Sequence, residues 1–140
     1  MNNNVVLSVR GRQRYADQEP EEIELVTEGV LEQEGTAWKL SYEESELTGL
    51  QGVSTTFLID QKNVTLKRTG RLNSQMVFQE GVAYDSLYQM EFGTMMLTVC
   101  ATKVEVDLTP EGGTIDLKYK IEIEQNAAGM IEYHLDIRKK

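Results

Sequence analysis

Residues Thr114–Glu124 read Thr-Ile-Asp-Leu-Lys-Tyr-Lys-Ile-Glu-Ile-Glu, with an apolar or aromatic side chain at every second position. Such alternation is typical of a β-strand with one buried face and one solvated face. The segment Ile131–Arg138 repeats the pattern, and Gln125–Gly129 between them has the composition of a hairpin loop. The two segments predict an antiparallel hairpin, because strands covered by helices on both sides would be apolar on both faces.

Further strand segments precede this hairpin, separated by glycine, proline and other turn-forming residues. They are Val5–Tyr15, Ile23–Glu32, Thr36–Glu44, Val53–Ile59, Val64–Thr69, Gln75–Glu80, Tyr84–Phe92 and Thr94–Leu108. In the last of them the apolar residues move from odd to even positions between Ala101 and Val104. One additional residue near Thr102 and Lys103, a β-bulge, would explain this shift. No segment has the 3.6-residue apolar repeat of an amphipathic helix.

These segments predict an all-β protein, a closed antiparallel meander β-barrel of about eight to ten strands. An open sheet of that size would leave one apolar face and two edges exposed, and closure removes both problems. A two-sheet β-sandwich has the same alternation and is the alternative. The length of 140 residues suits one domain, so we expect residues 1–140 to form a single β-barrel domain.

Composition limits the partners and the compartment. The chain has 14 basic and 23 acidic residues, a net charge of −9, which argues against nucleic-acid binding. Cys100 is the only cysteine, so no intrachain disulfide can form, which suits a reducing compartment. The apolar run Val5–Leu7 is too short for a signal peptide or a membrane helix. We therefore expect a cytoplasmic protein without membrane partners.

Several short motifs follow one another along the chain. They are Ser41–Glu44, Thr55-Thr56, Arg68–Gly70, Phe78–Gly81, Tyr88–Gly93, Thr102, Gly112–Ile115 and Tyr119. Their order and spacing, from about Val5 to about Ile123, resemble the YwiB-like family of uncharacterised Gram-positive bacterial proteins. The resemblance implies a calycin-like (lipocalin-like) β-barrel and no particular activity. Gly35 and Trp38 are too far apart for the Gly-x-Trp motif of lipocalins, so lipid transport is not implied.

Arg68 is the residue that says most about function. It shares the parity of Val64 and Leu66, so strict alternation directs it into the barrel. A buried, unpaired guanidinium is very costly, so Arg68 should meet a carboxylate, an anionic ligand or water.

Four other polar or aromatic residues share an inward parity by the same reasoning. Glu44 and Tyr42 alternate with Leu40, and Thr55 and Tyr88 lie on the apolar faces of their own segments. We predict a ligand-binding set, Arg68, Tyr42, Glu44, Thr55 and Tyr88, in which Arg68 binds an anionic group. The alternatives are an internal Arg68–Glu44 ion pair, or an arginine that reaches solvent at the barrel mouth.

No motif predicts a metal site, a cofactor or a catalytic nucleophile. His134 is the only histidine and is predicted to face solvent between Glu132 and Asp136. One histidine and the distant Cys100 make a poor metal site, and Cys100 is expected to be an inert filler.

Three hypotheses about function follow. The first is a non-enzymatic barrel that binds a small anionic or amphipathic molecule in its interior or mouth. The second is a protein-interaction or homodimerisation module whose barrel is filled by its own side chains, favoured by the outward parity of Val26 and Val30. The third is an acid–base enzyme that uses Arg68 with Glu43 or Glu44, for which no catalytic signature exists.

Overall fold

The computed structural model describes residues 3–15, 19–44, 51–60, 63–124 and 126–140 of the chain. These residues form ten β-strands and no helix. The strands are β1 (Asn4–Tyr15), β2 (Glu21–Glu34), β3 (Ala37–Glu43), β4 (Val53–Ile59), β5 (Val64–Gly70), β6 (Leu72–Phe78), β7 (Ala83–Met90), β8 (Gly93–Thr109), β9 (Gly112–Ile123) and β10 (Asn126–Lys139). The predicted all-β class is confirmed.

The sheet is a closed antiparallel meander. Each strand pairs with the next one in the chain, and β10 pairs with β1 along eleven residue pairs from Val5–Lys139 to Tyr15–Gly129. Closure gives every strand a neighbour on both sides, which covers most of the edges that would otherwise template aggregation. The predicted barrel is therefore confirmed, and the alternative of a β-sandwich is wrong.

Some element boundaries differ from the sequence-based prediction. Strand β6 begins at Leu72 and not at Gln75, while β7 ends at Met90, which leaves Phe92 86% exposed in the following turn. The predicted loop Gln125–Gly129 is mostly strand, because Asn126 already pairs with Ile123. Thr48-Gly49 and Gln61-Lys62, which are among the turn-forming residues expected between the predicted strands, and Gln125 lie outside the described residues.

The predicted β-bulge in β8 is confirmed. The register between β8 and β9 shifts between Ala101 and Lys103. The backbone at the bulge is held by its neighbours, since Gly81 N donates to Ala101 O at 2.9 Å and Val104 N donates to the Glu80 carboxylate at 2.8 Å. The extra residue moves the apolar side chains of β8 to the other parity beyond this point.

The barrel interior contains two adjacent rows of inward side chains on β3–β6. We call Leu40, Phe57, Leu66 and Met76 the apolar row; they are paired in register and at most 3% exposed. Facing strands add Leu7, Ile115, Leu117 and Leu135, each at most 2% exposed. This part of the barrel is filled by its own side chains, as small barrels commonly are.

Candidate functional site

The second row is polar and lies two residues from the apolar row, toward the barrel end where β5 finishes, and it extends from β3 to β7. Tyr42 pairs with Thr55, Thr55 with Arg68, Arg68 with Ser74, and Ser74 with Tyr88. We call these five residues the polar row. Thr55 is fully buried, and Arg68 and Ser74 are 9% and 7% exposed. Strand alternation thus places four of the five predicted site residues side by side across five strands.

Glu44, the fifth predicted residue, lies next to this row and accepts its hydroxyl groups. Thr55 Oγ1 donates to Glu44 Oε1 at 2.7 Å, and the Tyr42 hydroxyl also bonds the Glu44 carboxylate. Burial, followed by the negative charge of Glu44, raises the pKa of Tyr42 far above its usual value. Tyr42 therefore stays protonated and acts as a donor to Glu44.

Arg68 has only part of its hydrogen-bonding capacity satisfied. Its Nη2 donates to the Tyr133 hydroxyl at 3.5 Å, which is long for a hydrogen bond, and Glu44 acts on it as a nearby negative charge. Its Nε is buried and has no hydrogen-bond partner among the described residues. Ser74 Oγ is also buried, and it too has no hydrogen-bond partner within the part of the chain that the structure describes.

Tyrosines from the opposite wall face Arg68. Tyr133 on β10 has room for its ring because its β1 neighbour is Gly11, where a Cβ atom would lie 3.1 Å from Tyr133 Cε1. Tyr119 on β9 is fully buried, stacks near Tyr133 at a centroid distance of 6.4 Å, and packs on Phe78 at 4.6 Å. Burial raises the pKa of Tyr119, so its hydroxyl remains neutral.

A cavity of about 240 Å³ lies between these walls, at the end of the barrel where β5, β7 and β9 finish. Its polar lining consists of Gln13, Tyr15, Arg68, Tyr88, Tyr119 and Tyr133. Its apolar lining consists of Met76, Met95, Leu97, Ile121, Ile123 and Ile131. Of the predicted set, Arg68 and Tyr88 line the cavity, whereas Tyr42, Thr55 and Glu44 form the adjoining wall.

Near Arg68, strands β6 and β7 are paired along only a short length. Strands β6 and β7 pair only from Leu72–Met90 to Ser74–Tyr88, and beyond this point the Ser86 hydroxyl donates to the Gln75 carbonyl. A surface groove of about 450 Å³ follows this seam, and Arg68 borders both the groove and the interior cavity.

Larger depressions occur elsewhere, but they lack a buried charge. One of about 560 Å³ at the opposite barrel end is bordered by Trp38, and one of about 430 Å³ lies on the outer face. The outer one contains exposed charges that pair with each other, as Arg12 does with Glu22 at 3.7 Å. The smaller interior cavity is the candidate site because it adjoins polar atoms that folding has left unsatisfied.

His134 faces outward as predicted, but it is not simply solvated. Its Nδ1 lies 2.6 Å from the Asp116 carboxylate and its Nε2 lies 3.1 Å from that of Asp136. The hydrogen bond to Asp116 is the main cause that raises the pKa of His134, against a smaller opposing effect of burial. None of the three side chains of this outer-face cluster, His134, Asp116 and Asp136, lines the cavity.

Two broad features complete the description. Over the described ranges, no three or more histidine, cysteine, aspartate or glutamate side chains are grouped to hold a metal ion. The same described ranges contain no helix with the length and apolar character needed to cross a membrane.

The sequence prediction missed several residues around Arg68. Ser74 was outside the predicted strand, which was expected to begin at Gln75. Tyr119 and Tyr133 have the inward parity of their strands, but alternation alone could not distinguish a core ring from a cavity-lining hydroxyl. Their positions opposite Arg68 depend on closure of the barrel.

Comparison with known proteins identifies the family and the fold. The family model described as a domain of unknown function (DUF1934) matches residues 7–137. No curated protein matches the chain. The crystal structure of ywiB protein from Bacillus subtilis superposes with a TM-score of 0.82 at 22% identity, covering 99% of this chain and 93% of that one. This likeness confirms the resemblance stated above and shows the shared barrel fold. The chain therefore belongs to the DUF1934 family.

Proposed function

We propose that the protein is a non-enzymatic binding barrel that holds a small anionic or amphipathic molecule in its interior. The observation that carries the proposal is the buried Nε of Arg68, which has no hydrogen-bond partner among the described residues and belongs to a side chain that borders the cavity. Leaving a buried charged donor unsatisfied is costly, and an anion in the cavity would remove that cost.

The apolar lining supports the amphipathic part of the proposal. Ligand sites in proteins are mostly apolar, with a small number of polar groups that fix orientation. The cavity has this composition, with one guanidinium and several tyrosine hydroxyls beside methionine, leucine and isoleucine side chains. A ligand with an anionic end and an apolar body would satisfy both parts of the lining.

Binding is favoured over acid–base catalysis by the state of the titratable groups. Burial raises the pKa values of Tyr15, Tyr88 and Tyr119, so these groups are neutral donors near pH 7 and poor bases. The carboxylate of Glu44 is already bonded to Thr55 and Tyr42. These contacts support a site that holds an anion, and they give little support to the hypothesis of an Arg68–Glu44 acid–base pair.

Native mass spectrometry of the freshly purified full chain tests the proposal, together with NMR titration against a panel of small organic anions. We expect a bound mass, or saturable shifts of the Met76 and Met95 methyl signals, in the wild type. Arg68→Met should lose both, whereas Lys67→Met should retain them, because Lys67 is exposed on the outer face of the same strand. An empty barrel that responds to no anion would contradict the proposal.

A second candidate function is homodimerisation through the outer face of β7 and β8. Leu87 and Met96 are cross-strand partners there and are 50% and 37% exposed. Exposed apolar patches on monomers often mark interaction surfaces. We expect Leu87→Glu to lower the mass measured by light scattering if this face pairs two copies, and a wild-type monomer would contradict the idea.

The cellular compartment of the protein and its relationship to calycin-like proteins are also proposals. We propose a cytoplasmic location, supported by the single cysteine of the chain. A calycin-like relationship is supported by the closed meander topology.

A further inference from the structure

We infer that the ligand is a monocarboxylate with a short apolar or aromatic body, and that its carboxylate binds between Arg68 Nε and Ser74 Oγ. This inference rests on the proposed binding function and specifies the chemistry of the same site.

The charge of the site selects a monoanion. Arg68 is the one formally charged residue that lines the cavity in the described part of the chain, and it contributes a single positive charge. The nearby carboxylate of Glu44 partly offsets that charge. A phosphate monoester carries about −1.5 to −2 at pH 7, so the site would leave much of its charge unbalanced. A carboxylate carries a single negative charge, so it leaves less charge unbalanced at the site than a phosphate monoester does.

The donors of the site suit a carboxylate group. Arg68 and Ser74 are direct cross-strand partners on the inner face, and each has a buried polar atom without a hydrogen-bond partner among the described residues. Ser74 borders the surface groove and Arg68 borders both the groove and the cavity, and as an antiparallel pair their side chains are adjacent. An arginine edge and a hydroxyl can each donate to one carboxylate oxygen, and such charge-assisted hydrogen bonds are stronger than neutral ones. Tyr133 engages Nη2, and Nε is the Arg68 nitrogen that is buried without a hydrogen-bond partner among the described residues.

The size and the lining of the cavity select the body of the ligand. Its volume of about 240 Å³ is below the range of roughly 300–1,000 Å³ that is usual for drug-sized ligands. The aliphatic lining consists of Met76, Met95, Leu97, Ile121, Ile123 and Ile131. Methionine side chains adapt to bodies of different shape. A body of a few carbons or one ring is therefore expected, in contrast to a long acyl chain.

The test compares probes that share a six-carbon body and differ in the polar end: hexanoate, hexyl phosphate, hexan-1-ol and hexylammonium. Binding to the full chain is measured by calorimetry and by methyl NMR of Met76 and Met95, which line the cavity. We expect saturable shifts with hexanoate and at least tenfold weaker binding of the other three. A longer carboxylate, palmitate, should bind more weakly than hexanoate because the cavity is too small for it.

Variants test the position of the carboxylate. Arg68→Lys keeps the charge but removes Nε, and it should weaken hexanoate binding at least tenfold. Ser74→Ala should weaken it severalfold, and Ser54→Ala, on the outer face of β4, is the matched control that should not change it. Denaturation curves verify that each variant is folded. If Arg68→Lys proves unstable, Ser74→Ala still tests the position of the carboxylate, because it removes only one hydroxyl group.

The outcomes separate this inference from the proposed function. Equal or tighter binding of hexyl phosphate or hexan-1-ol, with the same methyl shifts, would overturn the monocarboxylate inference and leave interior binding standing. Hexanoate affinity unchanged by Arg68→Lys or by Ser74→Ala would also overturn the inferred position of the carboxylate. If no probe shifts the methyl signals and no co-purified mass is found, both the inference and the proposed function fail.

Discussion

The apolar row and the polar row share strands β3–β6, face the same interior and are only two residues apart, and the polar row continues to Tyr88 on β7. Leu66 in the apolar row is fully buried and is paired with apolar neighbours on both sides. Arg68 in the polar row is nearly as buried, yet its Nε is unsatisfied among the described residues and a cavity adjoins it. Leu66 and Arg68 are therefore buried to a similar extent. Burial of the apolar row stabilises the fold, whereas the unsatisfied Nε in the polar row does not.

Leu66→Ala should have the largest effect on stability. It removes buried methyl groups and leaves a hole, which typically costs about 2–5 kcal/mol of unfolding free energy for a core leucine. Chemical denaturation measures the loss. Leu58→Ala is the matched control, because Leu58 is 41% exposed on the neighbouring strand β4. Equal losses for the two variants would mean that the apolar row does not form the core.

Thr55→Val should have the next largest effect, and it tests how the polar row is satisfied. It removes the hydroxyl that donates to the buried Glu44 carboxylate, and leaving such an acceptor short of a donor costs about 1–3 kcal/mol. Ser54→Ala is the matched control, since Ser54 Oγ donates to the Glu43 carboxylate over the same 2.7 Å on the exposed face. The control should change stability by less than about 0.5 kcal/mol, as usual for surface substitutions. A larger loss for Ser54→Ala than for Thr55→Val would contradict this account of the row.

Arg68→Met should affect stability less than either of the preceding interior variants. Arg68 has a buried Nε without a partner among the described residues and one long hydrogen bond, so an apolar side chain removes the cost of burying that donor, while Glu44 retains its bonds to Thr55 and Tyr42. We expect a smaller loss of unfolding free energy by denaturation than for Thr55→Val, together with the loss of ligand binding. A loss as large as that of Leu66→Ala would show that Arg68 is needed for folding, and the two rows would no longer differ.

His134→Gln should have the smallest effect and extends the comparison to the outer face. The folded-state pKa of His134 is raised above 6.5, so its contribution is fully present below pH 6.5 and is lost as the pH rises through the folded value. The wild type should therefore exceed the variant in stability near pH 5.5 by more than it does near pH 9. Because the side chains are partly exposed, solvent screening limits the difference to less than about 1 kcal/mol. Denaturation curves at both pH values check this, and a difference that grows with pH would contradict it.

Alternation predicted the inner face of the barrel well and the contacts within it poorly. It directed Arg68, Thr55 and Glu44 inward, and the structure buries all three. It could not choose among the partners of Arg68, which proved to be the Tyr133 hydroxyl, 65 residues away in the chain, and the nearby charge of Glu44. Ser74 was missed because a strand that begins with Leu72 and Asn73 has weak β-propensity at its start.

The sequence by itself determined the strands, the bulge in β8 and the side of the wall to which each residue belongs. These features depend on a two-residue period that neighbouring residues set locally. Only the tertiary structure decided that Tyr119 and Tyr133 face Arg68, and that a cavity adjoins Arg68 beside filled core. The physical reason is that these contacts join strands far apart in the chain, and they form only when β10 pairs with β1 and closes the barrel.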